Sequence, residues 1–148
     1  MQPRSHENTK KYQMYFSYLR VFVVAFVLLP QARTTWDGVY TDAQAKRGEA
    51  IYAERCASCH APDLSGMDQA PALAGAEFRT EWDGLSMNDL FERTRISMPA
   101  DQPGSLERLQ VAEVVAFVLQ KNGFPAGVTE MPAQPDQLKA LTVAAKRR

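Results

Sequence analysis

The segment Ala53–Leu64, AERCASCHAPDL, holds both cysteines of the 148-residue chain, Cys56 and Cys59, and one of its two histidines, His60. No other thiol exists in the sequence. Soft metal-binding and redox chemistry is thus concentrated in five consecutive residues, and the fold has to present them together. The approach to the motif is helical in character. TDAQAKRGEAIYAER, residues 41–55, is made of good helix formers, offers Thr41 or Asp42 as N-cap, and puts Ala45, Ile51, Tyr52 and Ala53 at helix-like spacing. A first helix therefore runs into the cysteines.

Working outward toward the C-terminus, residues 60–84 carry three glycines, two prolines and many small side chains. This reads as loop, with a short helix around Glu77–Trp82. A loop of that length in a compact domain needs something to wrap around. Ser86 and Asp89 then have capping-box spacing at the head of SMNDLFERTRIS, where Met87, Leu90, Phe91 and Ile96 form an apolar stripe. MPADQPG breaks this second helix. The third, within SLERLQVAEVVAFVLQKNG, has the most persistent apolar face in the chain, Leu109, Val111, Val114, Val115, Val118 and Leu119, with Gly123 as its stop. Upstream of the first helix, RTTWDGVYTD is expected to be an extended lead-in. Downstream, residues 125–148 read as a proline-rich tail that ends in a few helical residues between Pro135 and Ala145, and Met131 has little there to hold it.

At 45% hydrophobic and 23% charged residues, the chain fits one globular domain with appendages. Its formal charge is zero and no basic, aromatic face stands out, so nucleic acid is not an expected partner. The first 32 residues differ from the rest. Arg4, Lys10, Lys11 and Arg20 face one acid, Glu7, and are followed by the apolar run Val21–Leu29 and then Pro30–Arg33. That is the layout of an export signal, and the run falls short of the roughly 20 apolar residues a membrane-spanning helix needs. We expect residues 1–32 to be a leader, cleaved after Ala32 or retained as an anchor, with Met14 as an alternative translation start. Residues 33–148 would form the exported, periplasmic domain, with a core at 42–124. Membrane contact is expected only through an uncleaved leader. From Arg33 onward there are 16 acidic and 13 basic residues, so the body is mildly acidic.

Cysteines at i and i+3 with histidine at i+4 are the attachment signature of c-type haem. Two thiols one helical turn apart can add to the two vinyl groups on one edge of a porphyrin, and the adjoining imidazole then lies under the iron. Thiols consumed as thioethers cannot form disulfides, which suits an oxidising compartment with no other cysteine. Three other readings stay open. A dithiol redox centre expects a strand before the motif, whereas helical sequence precedes it. A structural zinc needs a fourth ligand beyond Cys56, Cys59 and His60. A plain disulfide is the third.

A six-coordinate haem requires a second axial ligand, and His60 is the only histidine of the body. Methionine is the main alternative donor, and four lie beyond His60: Met67, Met87, Met98 and Met131. Met67 is only seven residues away and would need a taut path round the macrocycle. Met87 is placed for core filling. Met98 precedes Pro99, which favours extended backbone, and lies in the break between helices, so it is the favoured ligand.

With GEAIYAERCASCHAPDLSG, APALAG, MPAD and VAEVVAFVLQKNG, the stretch Asp42–Phe124 resembles class I c-type cytochromes of the bacterial, periplasmic, single-haem kind. The resemblance implies an all-α, small cytochrome c fold of three to five helices around one covalent haem c. The first and third helices would cross through Gly48 and Tyr52 against Val115, Phe117 and Val118. It also implies that the Pro71 carbonyl accepts the Nδ1 proton of His60, that Leu73 packs on the ring, and that Arg79 and Trp82 meet the propionates. Ala61 departs from the glycine common at that position in relatives, which bears on loop conformation. The implied function is electron transfer, not catalysis, with a redox partner such as a dehydrogenase, oxidase or reductase. Alternatives are a dedicated subunit of such a complex, a peroxidase-like haem enzyme with an open coordination site, or a zinc or dithiol protein without haem.

Overall fold

The computed structural model describes residues 32–147; the leader expected at 1–32 lies outside them but for Ala32. Six helices occur among the described residues: α1 (Asp42–Arg55), α2 (Ala57–His60), α3 (Ala76–Glu81), α4 (Met87–Ser97), α5 (Arg108–Lys121) and α6 (Pro135–Lys139). Two-residue strands β1 (Arg33–Thr34) and β2 (Leu141–Thr142) complete the architecture, with a 3-10 turn at Thr35–Asp37. Four helices have six or more residues, and α2 and α6 are single turns, which gives a small, mostly helical domain.

Local chemistry sets the helix ends. Thr41 Oγ1 accepts from Gln44 N at 3.1 Å and caps α1. Ser86 Oγ accepts from Asp89 N while Asp89 Oδ2 accepts from Ser86 N, at 3.2 and 3.0 Å, the reciprocal box that starts α4. Helix α5 begins at Arg108, and its end is turned by Gly123 at φ +79, a left-handed conformation in which a side chain is disfavoured.

The frame of the domain is the crossing of α1 and α5. At Gly48 a Cβ would fall within the van der Waals envelope of the Glu113 carbonyl and 3.0 Å from Val114 N, so only glycine allows this approach of the two backbones. One turn further on, the Tyr52 and Phe117 rings pack with centroids 5.2 Å apart. The crossing pairs Gly48 and Tyr52 of α1 with α5, as expected. Val111, Val114, Val115, Val118 and Leu119 are buried, but Leu109, assigned to the same face, is 68% exposed because it lies about half a turn from Val111. Ile96 of α4 is likewise exposed, whereas Met87, Leu90 and Phe91 carry that helix's contact with the core.

The C-terminal segment corrects the picture of a loose tail. Gln44, buried on α1, donates Nε2 to Met131 O and accepts from Met131 N, at 3.1 and 2.8 Å. Met131 is therefore buried and held by both of its backbone polar groups. Arg47 bridges Glu113 and Glu130, Arg108 Nε donates to Ala133 O at 2.8 Å, and Leu138 and Val143 are fully buried. The segment ends in β2, which pairs in parallel with β1 in the register Arg33 with Leu141 and Thr34 with Thr142. Nearby, the Trp36 indole donates to Ala144 O at 2.9 Å. The lead-in and the tail thus form one side of the domain.

Candidate haem site

Helix α1 ends at Arg55, and after Cys56 the chain makes one further turn, α2, with Cys59 N and His60 N both donating to Cys56 O at 3.1 and 3.0 Å. That turn places two thiols and an imidazole on one short rigid element. The Tyr52 hydroxyl, buried at the crossing, donates to Ala61 O at 2.7 Å and fixes the exit from the motif. Ala61 sits at φ 63, ψ 152, a region normally reserved for glycine. The departure from glycine at this position is therefore a strained residue beside the site.

His60 is buried, and its Nδ1 lies 2.9 Å from Pro71 O. Protonation of Nδ1 satisfies that carbonyl and leaves Nε2 with its lone pair, the state a metal-binding histidine needs. The loop that carries Pro71 is itself pinned. Leu64 is fully buried and accepts from Leu73 N at 2.8 Å. Asn122, at the end of α5, donates Nδ2 to Leu73 O and Val118 O at 2.9 and 2.8 Å and accepts from Gly75 N at 3.0 Å. This buried asparagine is a positioning residue that the sequence reading missed. Its only signal was a polar side chain between an apolar helix and its stop glycine.

Cys56, Cys59, His60, Pro71, Leu73, Trp82 and Met98 all line one cavity of about 1010 Å³, floored by Leu90, Val114, Val115 and Val118. The cavity has the size and apolar lining of a site for a large, flat organic group. Arg79 does not line it; its Nη1 donates to Asn122 O at 3.2 Å and so supports the loop. Of the apolar residues in this part of the chain, Leu73, Leu90 and Val115 line the cavity, while Ile51, Leu64 and Ile96 do not. Two of the four candidate sulfurs, Met67 and Met98, reach it, and Met87 and Met131 are spent in the core.

These residues fit a covalently attached haem better than they fit the other readings. Burial pushes the Cys56 thiol up to about 11, against the pull of the Arg55 guanidinium, whereas a dithiol redox centre works through a lowered thiol pKa. Among the described residues no group of three or more His, Cys, Asp or Glu side chains is placed to hold a metal ion, so the zinc reading finds no complete ligand set.

The structure of the sulfane dehydrogenase SoxCD from Paracoccus pantotrophus is similar at 24% identity over 61% of this chain, with a TM-score of 0.44. The match covers 53% of that chain, so this protein spans about half its length. No curated protein sequence matches. The family model described as cytochrome c oxidase, cbb3-type, subunit III, matches residues 43–118, from the start of α1 through the cysteine motif to the last turn of α5. That segment is just over half of the chain and contains the cavity's main walls; the protein belongs to this cytochrome c family, and its cofactor is covalently bound haem c.

Proposed function

We propose that the protein is a single-haem electron carrier whose iron is held between His60 and Met98, with Cys56 and Cys59 as the thioether anchors. The observation that carries this reading is the convergence of all four residues on one apolar cavity, with His60 Nδ1 already engaged by the Pro71 carbonyl. The haem supplies one-electron chemistry at iron. The chain supplies the rest: α2 sets the anchor spacing, Pro71 orients the imidazole, and Val114, Val115 and Val118 exclude water and lower the local dielectric. Met98 ends α4 in extended backbone, φ −122 and ψ 149, with its amide still tied to Thr94 O at 3.0 Å. A side chain delivered from an anchored helix end is better positioned than Met67, which is 46% exposed in the loop after His60. Methionine opposite histidine favours a higher reduction potential than two histidines would.

The test is the visible spectrum of the haem-loaded protein. In the oxidised form, the weak long-wavelength band of a sulfur-to-iron bond should be present, should vanish in Met98→Ala and should survive in Met67→Ala. Loss in Met67→Ala alone refutes the ligand assignment, and a high-spin, five-coordinate spectrum of the unmodified protein points to the peroxidase-like alternative. The family's description favours a second reading, a dedicated subunit of a respiratory oxidase or dehydrogenase complex. Co-purification of a stoichiometric partner from native membranes or periplasm separates the two. Export to the periplasm belongs to the proposal, supported by the basic start and short apolar run of residues 1–32. Among the described residues no helix is long and apolar enough to cross a membrane. N-terminal sequencing of the mature protein decides whether the leader is removed.

A further inference from the structure

The charge of the domain is unevenly placed. Of the charged residues from Arg33 onward, five acids line the haem cavity, Glu54, Asp68, Glu81, Asp89 and Asp101, against two bases, Arg55 and Arg93. The remaining charges are eleven acidic and eleven basic residues. The whole negative excess of the body therefore sits at the mouth of one cavity. All five carboxylates belong to exposed residues. None takes part in an ion pair among the described residues, whereas the carboxylates of Glu49, Glu92, Glu113 and Glu130 are each within 4 Å of a lysine or arginine. Asp89 also accepts from Ser86 in the α4 capping box, and the other four carboxylates face solvent around the cavity. The apolar walls behind them focus their field outward. Haem propionates are carboxylates as well, so the cofactor does not reverse the sign.

Cys59 is exposed at the same mouth, as is Met67, so the site of electron exit and the seat of the negative charge coincide. Resting on the electron-carrier reading above, we propose that the cavity mouth is the docking face for a redox protein that presents lysines or arginines around its own redox centre. Association is steered by the five rim carboxylates, whose excess over Arg55 and Arg93 the partner's bases offset. Complementarity of this kind acts on the rate of encounter and on the choice of partner more than on affinity. It therefore suits a complex that must form and dissociate at each turnover.

Two measurements on the full-length, haem-loaded protein test this. The first is stopped-flow oxidation of the ferrous protein by two one-electron oxidants of opposite charge, tris(phenanthroline)cobalt(III) and ferricyanide. In each case one electron leaves ferrous haem, giving ferric haem and cobalt(II) or ferrocyanide. The rate constant for the cobalt cation should fall on the order of tenfold between low and physiological ionic strength, and that for ferricyanide should rise. The triple variant Glu54→Lys, Asp68→Lys, Asp101→Lys should invert both slopes. A control with the same change in total charge, Glu49→Lys, Glu130→Lys, Asp136→Lys, should keep their sign. Equal effects from the two triples, or flat slopes in the unmodified protein, overturn the proposal. The second measurement needs neither variants nor electron transfer: the redox-inert, paramagnetic cation hexaamminechromium(III) should selectively broaden the amide resonances of the five rim acids. Broadening centred elsewhere also overturns it. The optical spectrum of the same samples keeps the failures apart, because a protein with no reducible haem refutes the functional reading itself, whereas normal haem with no rim dependence refutes only the docking face.

Discussion

Replacing Gly48 by alanine sets two effects against each other, and the structure decides between them. On helix propensity alone, alanine in the middle of α1 should stabilise the domain by about 1 kcal/mol. The geometry predicts the reverse. A Cβ at this position would overlap the carbonyl carbon and oxygen of Glu113 and approach Val114 N to 3.0 Å, and all three are backbone atoms of a buried helix that no rotamer change can move. Restoring ordinary contact requires α1 and α5 to part by roughly 1.5 Å at their closest point, which loosens Tyr52 on Phe117 and opens gaps along the valine face. Overpacking of a core commonly costs about 1 to 3 kcal/mol, and a rigid backbone obstacle belongs at or above the upper end. After the propensity gain, the expected net loss is about 2 to 3 kcal/mol, or a melting temperature lowered by roughly 6 to 12 °C. Because Val114 and Val115 also line the cavity, the haem spectrum should report the displacement. The assay is thermal unfolding of the haem-loaded protein by far-ultraviolet circular dichroism, with visible spectra of the same samples. An unchanged or raised midpoint in Gly48→Ala would refute the argument that this crossing is limited by backbone contact.

Three further outcomes are expected. Gln44→Ala leaves the buried Met131 N–H and C=O without partners and should cost about 2 to 4 kcal/mol in denaturant unfolding, with the haem spectrum unaltered. Ala61→Gly relieves the backbone at φ 63, ψ 152 and should raise stability by about 1 to 2 kcal/mol in the same assay; a loss there would show that the residue is not strained. Burial pushes the Tyr40 and Tyr52 hydroxyls from the ordinary 10 up to about 12, so the folded protein keeps these protons longer than the unfolded chain does. Stability from this source should be intact below pH 10 and lost as pH rises toward about 12, seen as late, cooperative phenolate absorbance coincident with unfolding, and the drop should be smaller in Tyr40→Phe and Tyr52→Phe.

What could be read in the sequence was what local chemistry encodes. The cysteine motif, the Thr41 cap, the Ser86–Asp89 box and the Gly123 stop each involve residues within four positions of one another, and the structure places each where its local pattern indicates. The Pro71 carbonyl came from family resemblance, and the structure brings it to His60. Partners far apart in sequence were not legible. Gln44 meets Met131 across 87 positions through a pair of hydrogen bonds, and Trp36 meets Ala144 across 108 through one, and neither leaves a periodicity to detect. Arg79, which the family resemblance put near the propionates, donates here to Asn122 O, 43 residues away, another long-range partner without a local signal. Apolar character also misled where position on the helix mattered more than composition, as at Leu109 and Ile96.

The parallel pairing of Arg33–Thr34 with Leu141–Thr142 has a consequence for how the domain is made. During synthesis the first of these strands emerges more than a hundred residues before its mate, so the seam cannot close until Leu141 and Thr142 have been delivered. Helices α1 to α5 can gather around the haem earlier, and the final stretch then latches over them. A chain that stops short of Leu141 should still be able to carry its cofactor, yet it would leave the Trp36 side of the molecule unsealed, an open flank that proteases could recognise as the mark of an unfinished product.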